Sequence, residues 1–324
     1  MSLVQSRPAG SRDVSIDLFR WICILSVVVH HSVFPTRQSP ETIRVIFALK
    51  EALGWCVTGF FFVSGWLSKP ETFGSRFVLD RARRLLVPFV CVNAVVCVAM
   101  LALIRLGIFA PKPSEDWSFH GIVLRMIYLQ GLGPQFYFLP YLFVTGTVAV
   151  AAARILGRTT AAFLWFGLAA IVYSRIGIPS TPFGGEVNRV PIYFVLLGMG
   201  MSLRDGHRNA AGVALAVGGL ATGIWLASRG CGTTILHSFL PVPLFFSLRA
   251  VVRGMRMSFL LYWNSGALFL WHAPIVLPAA SILWHVSRFP EGIQLALAIA
   301  TTIVACQGIH VLVSKMGAAK YLSL

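Results

Sequence analysis

Arg20 and His31 share the first long apolar run of the chain, which reads Asp17-Leu18-Phe19-Arg20-Trp21-Ile22-Cys23-Ile24-Leu25-Ser26-Val27-Val28-Val29-His30-His31. Ionisable side chains inside a membrane span are rare and mark sites or pathways. The spacing of eleven residues at about 100° each returns to nearly the same helix face. The two therefore read as one site along a helix, about 16 Å apart at about 1.5 Å per residue. That is roughly half the thickness of a hydrocarbon core. A guanidinium holds anions through a planar fork, and an imidazole serves as a general base or a nucleophile. A group anchored at Arg20 would thus present its far end to His31, while His30, turned about 100° away, packs instead.

Further candidates stand elsewhere on the chain. His272, in Leu268-Phe269-Leu270-Trp271-His272-Ala273-Pro274, falls in the same outward half of the bundle as His31, where it either meets that ring or hydrogen-bonds between helices. Ser64 lies in Phe61-Phe62-Val63-Ser64-Gly65-Trp66-Leu67, and Lys69, Arg76, Arg81, Arg83 and Arg84 follow in what reads as a loop. Such a cluster binds phosphates, or it only sets topology and meets anionic headgroups. The aromatic stretch Phe136-Tyr137-Phe138-Leu139-Pro140 reads as an interfacial belt. No GxSxG, HExxH or Walker sequence is present, which leaves a serine triad, a zinc protease and a P-loop enzyme without support.

The elements that must position these residues are membrane helices. With 57% hydrophobic and 12% charged residues over 324 positions, the chain is too apolar for a soluble domain. The net charge of +16 is carried by short clusters between apolar runs, which argues for positive-inside topology and against nucleic acid as a partner. The six cysteines form no CxxC pair, and neither a disulfide nor a metal site is expected. The first apolar run lacks a cleavage pattern and is expected to be retained as the first span. Hydropathy predicts ten helices at 16–34, 44–67, 85–108, 136–153, 161–178, 190–203, 210–228, 233–250, 258–278 and 293–313, an all-α polytopic bundle forming one membrane domain over residues 1–324. An inside N-terminus places 17 of the 27 Lys and Arg residues on the inner side, so both termini are expected to be cytoplasmic.

In this order, the Arg20–His31 pair, Phe61 to Leu67, Arg81 to Pro88, Phe136 to Leu139 and Phe269 to Pro274 resemble the acyltransferase family 3 membrane domain over nearly the whole chain. The resemblance implies a bacterial inner-membrane enzyme, commonly of ten core helices, that acylates extracytoplasmic or lipid-linked glycans. Its helix-one motif matches Arg20 and His31, with His31 as the catalytic histidine, either general base or acyl-accepting nucleophile. It further implies that acyl-coenzyme A, most commonly acetyl-coenzyme A with succinyl behind it, is the donor substrate. Arg20, Arg81, Arg83 and Arg84 would meet the donor's phosphates, and Ser64 and His272 complete the donor- or substrate-binding set. No tightly bound cofactor is expected; the partners are the donor, a glycan or glycolipid acceptor and membrane lipid. The alternative is a glycan or lipid exporter of similar architecture, in which Arg20 and His31 bind cargo or relay protons.

Overall fold

The computed structural model describes residues 13–32, 40–107, 116–127, 136–175, 189–206, 238–252, 265–272, 276–285 and 289–317, with isolated positions between them. Among these, every regular element is helical. They are α1 (Val14–His31), α2 (Pro40–Leu53), α3 (Cys56–Leu67), α4 (Ser75–Arg105), α5 (Phe119–Ile127), α6 (Phe138–Leu156), α7 (Arg158–Arg175), α8 (Val190–Gly206), α9 (Pro241–Val251), α10 (Ser265–Trp271), α11 (Leu277–His285) and α12 (Glu291–Lys315). Four are long and apolar enough to cross a bilayer: α1, α4, α6 and α12. Among the described residues four helices thus reach bilayer length, with α3, α7, α8 and α9 as shorter apolar helices, and the expected count of ten is not reached within them. Most of the range 210–228 lies outside the described residues.

Helix α3 is the centre of the bundle. It is apolar all round, as a helix enclosed by others must be, and Phe61, Phe62, Val63 and Trp66 are buried. Phe61 stacks on Tyr193 of α8 with ring centroids 3.9 Å apart, and Phe245 of α9 meets Phe62, Trp66 and Phe19 edge-on or tilted. Small residues permit this density. A Cβ at Gly65 would strike the Leu197 carbonyl, and one at Gly200 would strike the Phe62 carbonyl and the Trp66 amide. On the other side a Cβ at Gly59 would stand 2.7 Å from the Cys23 Sγ. At twelve residues and about 1.5 Å each, α3 is about 18 Å long. Its C-terminal end lines a cavity through Val63, Ser64 and Leu67.

Two expected boundaries change. The run 44–67 is broken at Gly54 and Trp55 into α2 and α3, since glycine is a poor helix former and the Trp55 carbonyl takes the Thr58 hydroxyl and the Gly59 amide as a new helix start. Helix α4 begins at Ser75, ten residues before the expected 85, so Arg76 to Arg84 ride on a helix rather than in a loop. Pro88 sits inside α4 and removes only the bond that the Arg84 carbonyl would have accepted. Further along, the Asn93 amide group donates to the Phe89 carbonyl, and its oxygen accepts the Leu132 amide at 2.6 Å.

Helices α1 and α3 run antiparallel. Cys23 lies beside Gly59, while Asp13 pairs at 3.3 Å with Arg249, whose guanidinium lies 5.0 Å over the Trp66 ring. At that same end Arg158 pairs with Glu71 at 2.9 Å and Arg204 donates to the Ser68 carbonyl. One end of the bundle is thus basic. Away from it, exposed apolar side chains such as Val98 and Leu101 on α4, Ile171 on α7 and Val304 and Val311 on α12 present a surface suited to lipid rather than water. On α12 the buried residues are Ala298, Thr302 and Cys306, a single stripe at four-residue spacing.

Candidate active site

A cavity of about 390 Å³ opens beside α3 near the basic end, bounded by α1, α4, α6, α10 and the short segment that joins α3 to α4. Its volume is in the range of small-molecule sites. Arg20, Lys69, Arg81 and Arg84 line it, and among its described lining residues none is acidic. From Lys69 and Leu67 it runs along α3 to Phe60, about 10 Å at the helical rise. Cations thus gather about one part of the cavity and Phe60, Phe138, Leu139 and Phe269 form the rest. A ligand bearing both phosphate and apolar groups matches that lining.

The joining segment is fixed by its own polar groups. Ser68 donates to the Ser64 carbonyl at 2.7 Å, Thr72 to the Lys69 carbonyl at 2.7 Å, and Glu71 takes the Arg158 guanidinium. A hydrogen bond from its own backbone amide, and then Arg158, hold the Glu71 carboxyl below its ordinary range.

Among the described residues, Arg81 is the cation the fold encloses most. It is 5% exposed, donates from Nη2 to the Leu142 carbonyl at 3.0 Å and more weakly to the Ser64 Oγ at 3.4 Å, and lies 5.9 Å over the Phe77 ring. Its Nε is buried with no partner, and among the described residues no carboxylate pairs with it. A buried guanidinium without a countercharge is a strongly unfavourable arrangement, which an anion in the cavity would relieve through charge-assisted bonds. Gly146 of α6 makes the room: a Cβ there would collide with Nη2. Arg84 also lines the cavity, whereas Arg83, one residue earlier on α4, is exposed and does not.

His31 and His272 form a second group, with ring centroids 5.5 Å apart. His272 is fully buried and its Nδ1 lies 2.8 Å and 2.9 Å from the carbonyls of Leu268 and Phe269. Carbonyl oxygens only accept, so Nδ1 carries a proton there. Its Nε2 has no partner among the described residues. His30 packs edge-on against His31 at 5.5 Å. Neither His31 nor His272 lines the cavity: from Cys23, level with Gly59, His31 is about 12 Å further along α1.

A family model described as an acyltransferase domain matches residues 13–311. The chain belongs to the acyltransferase 3 family. Searches of curated proteins and of solved structures each returned no match. Membership makes the chain a membrane acyltransferase, in keeping with its four bilayer-length apolar helices.

Of the seven residues singled out in the sequence of this acyltransferase, Arg20, Ser64, Arg81 and Arg84 surround one cavity, His31 and His272 pair beyond it, and Arg83 stands apart. The expected aromatic belt is a correction. Phe136 is fully buried and Phe138 is 5% exposed, because α6 turns that edge to Phe60, Phe61 and Phe269 rather than to the interface. Sequence reasoning also passed over Gly146 and the Leu142 carbonyl. The one available signal was Thr145-Gly146-Thr147, a small-residue step in an apolar helix of the kind that admits a close neighbour.

Proposed function

We propose that this acyltransferase moves an acyl group, acetyl in the first instance, from cytoplasmic acyl-coenzyme A to a hydroxyl of an extracytoplasmic or lipid-linked glycan. The observation that carries the reading is Arg81, a buried cation with no carboxylate partner among the described residues, which faces a cavity shared with Arg20 and Arg84. On this reading the donor's phosphates meet Arg84, Arg81 and Arg20, Ser64 steadies the Arg81 fork, and the pantetheine arm extends past Phe60 toward His31. The His31 imidazole acts as general base. It takes the proton of the acceptor hydroxyl as the oxygen bonds to the acyl carbon, the thioester C–S bond breaks, and the proton passes to the departing thiolate. The products are an ester and free coenzyme A. His272, whose Nδ1–H is committed to two carbonyls, positions the His31 ring by packing against it at 5.5 Å between centroids. The basic end of the bundle is cytoplasmic by the positive-inside rule, in a bacterial inner membrane, with both termini on that side.

Purified protein supplied with acetyl-coenzyme A and a crude glycan acceptor should release free coenzyme A thiol. His31→Ala should abolish release without altering expression or thermal melting, and His30→Ala should retain most of it. No release by the wild-type protein with any acyl-coenzyme A, or equal release by His31→Ala, would remove the assignment.

A further inference from the structure

Three rings of the arginine-lined cavity pack together, and one of them also touches the histidine pair. Phe60, Phe138 and Phe269 all line the cavity and touch one another, with centroids 5.5 Å (Phe60–Phe138), 6.3 Å (Phe60–Phe269) and 5.0 Å (Phe138–Phe269) apart. Phe269 also contacts His272 at 6.3 Å, and His272 contacts His31. The rings come from three different helices, α3, α6 and α10. Phe138 and Phe269 are 5% and 6% exposed. A group that passes from the cations toward His31 by way of these rings meets no hydrogen-bonding partner among them.

Resting on the acyl-coenzyme A reading above, we propose that Phe60, Phe138 and Phe269 determine acyl specificity, admitting uncharged acyl groups such as acetyl and rejecting those that end in a carboxylate, such as succinyl. The physical basis is desolvation. An ionised carboxylate loses its water between the rings and gains no partner there, a penalty far above that of a methyl group. The four cations that line the cavity, Arg20, Lys69, Arg81 and Arg84, add to the rejection, because they hold a second anion on the near side of the rings. Chain length matters less than charge, since a straight alkyl chain has the same cross-section whatever its length.

Two arms test this. In the first, wild-type protein is given acetyl-, butyryl- and succinyl-coenzyme A; acetyl and butyryl should be turned over, and succinyl about a hundredfold more slowly or worse. Phe60→Ala and Phe138→Ala, which open a path for water, should reduce that ratio at least about tenfold. A succinyl rate equal to acetyl in the wild type, or a ratio unchanged in the variants, overturns the proposal. In the second arm activity is not needed. In a background without native cysteines, His31→Cys is exposed to a membrane-impermeant thiol reagent from the face at which Arg84→Cys reacts. Adding Phe60→Ala or Phe138→Ala should speed labelling at least about tenfold, and equal rates overturn the partition itself. Phe60→Leu and Phe138→Leu carry the same comparison in folds less disturbed by lost volume. A wild-type protein inactive with every acyl-coenzyme A would instead refute the acyltransferase reading while the labelling arm still judged the partition.

Discussion

Arg81, Arg83 and Arg84 are nearly equivalent as letters in a sequence and wholly different as side chains. Arg81 is enclosed against Leu142, Ser64 and Gly146, Arg84 reaches the cavity from an exposed position, and Arg83 faces away. Arg81→Ala should therefore weaken coenzyme A binding about ten- to a hundredfold, the range of a lost charge-assisted hydrogen bond, while Arg83→Ala should leave it nearly unchanged. Equilibrium binding of labelled coenzyme A to the purified variants checks both. Gly146→Ala gives a finer probe: its methyl must displace the Arg81 guanidinium, so binding should fall nearly as far as in Arg81→Ala, with a stability loss of about 1–3 kcal/mol from overpacking. The sequence could show that an arginine cluster and an arginine–histidine pair existed, because charge inside an apolar chain is conspicuous. It could not show which arginine turned inward, since that depends on the phase of α4 against α6, and the element that sets it, Gly146, carries no side chain to notice.

At the scale of elements, α3 and its glycine contacts hold the site in place. Gly65 and Gly200 bring the α3 and α8 backbones together, and α3 carries Phe60 and Ser64 on the cavity side. Gly200→Ala should cost about 1–3 kcal/mol, because the obstructing atoms are backbone and cannot turn aside; a lowered melting temperature in detergent is the readout, with Gly308→Ala, where a Cβ meets nothing, as the control. The segment between α3 and α4 adds a pH dependence. The folded Glu71 carboxyl lies below its ordinary value, so its contribution is complete above the unfolded carboxylate range and is lost as pH falls through the folded value. Melting curves of wild type and Glu71→Gln should differ at neutral pH and converge under acid. Hydropathy located most of these helices, yet it missed the break before α3 and the early start of α4. The first depends on a Gly54–Trp55 step within an apolar run, and the second on a basic helix turn that hydropathy discards although Arg81 is buried in it.

For the whole molecule, the arrangement is directional. Asp13, Glu71, Arg158, Arg204 and Arg249 form their contacts at one end, the cavity opens near it, and the histidine pair lies further along α1, in contact with the cavity ring Phe269. The central claim is that a thioester enters from the basic end and that its acyl group leaves from the other side by way of His31. The most direct measurement uses sealed membrane vesicles of known orientation, with radiolabelled acetyl-coenzyme A supplied only to the face at which a cysteine at Arg84 reacts, and label counted in glycan on the opposite face. Label should accumulate there with the wild-type protein and stay at background with His31→Ala. Label confined to the donor's own face, or equal transfer by His31→Ala, would contradict the account.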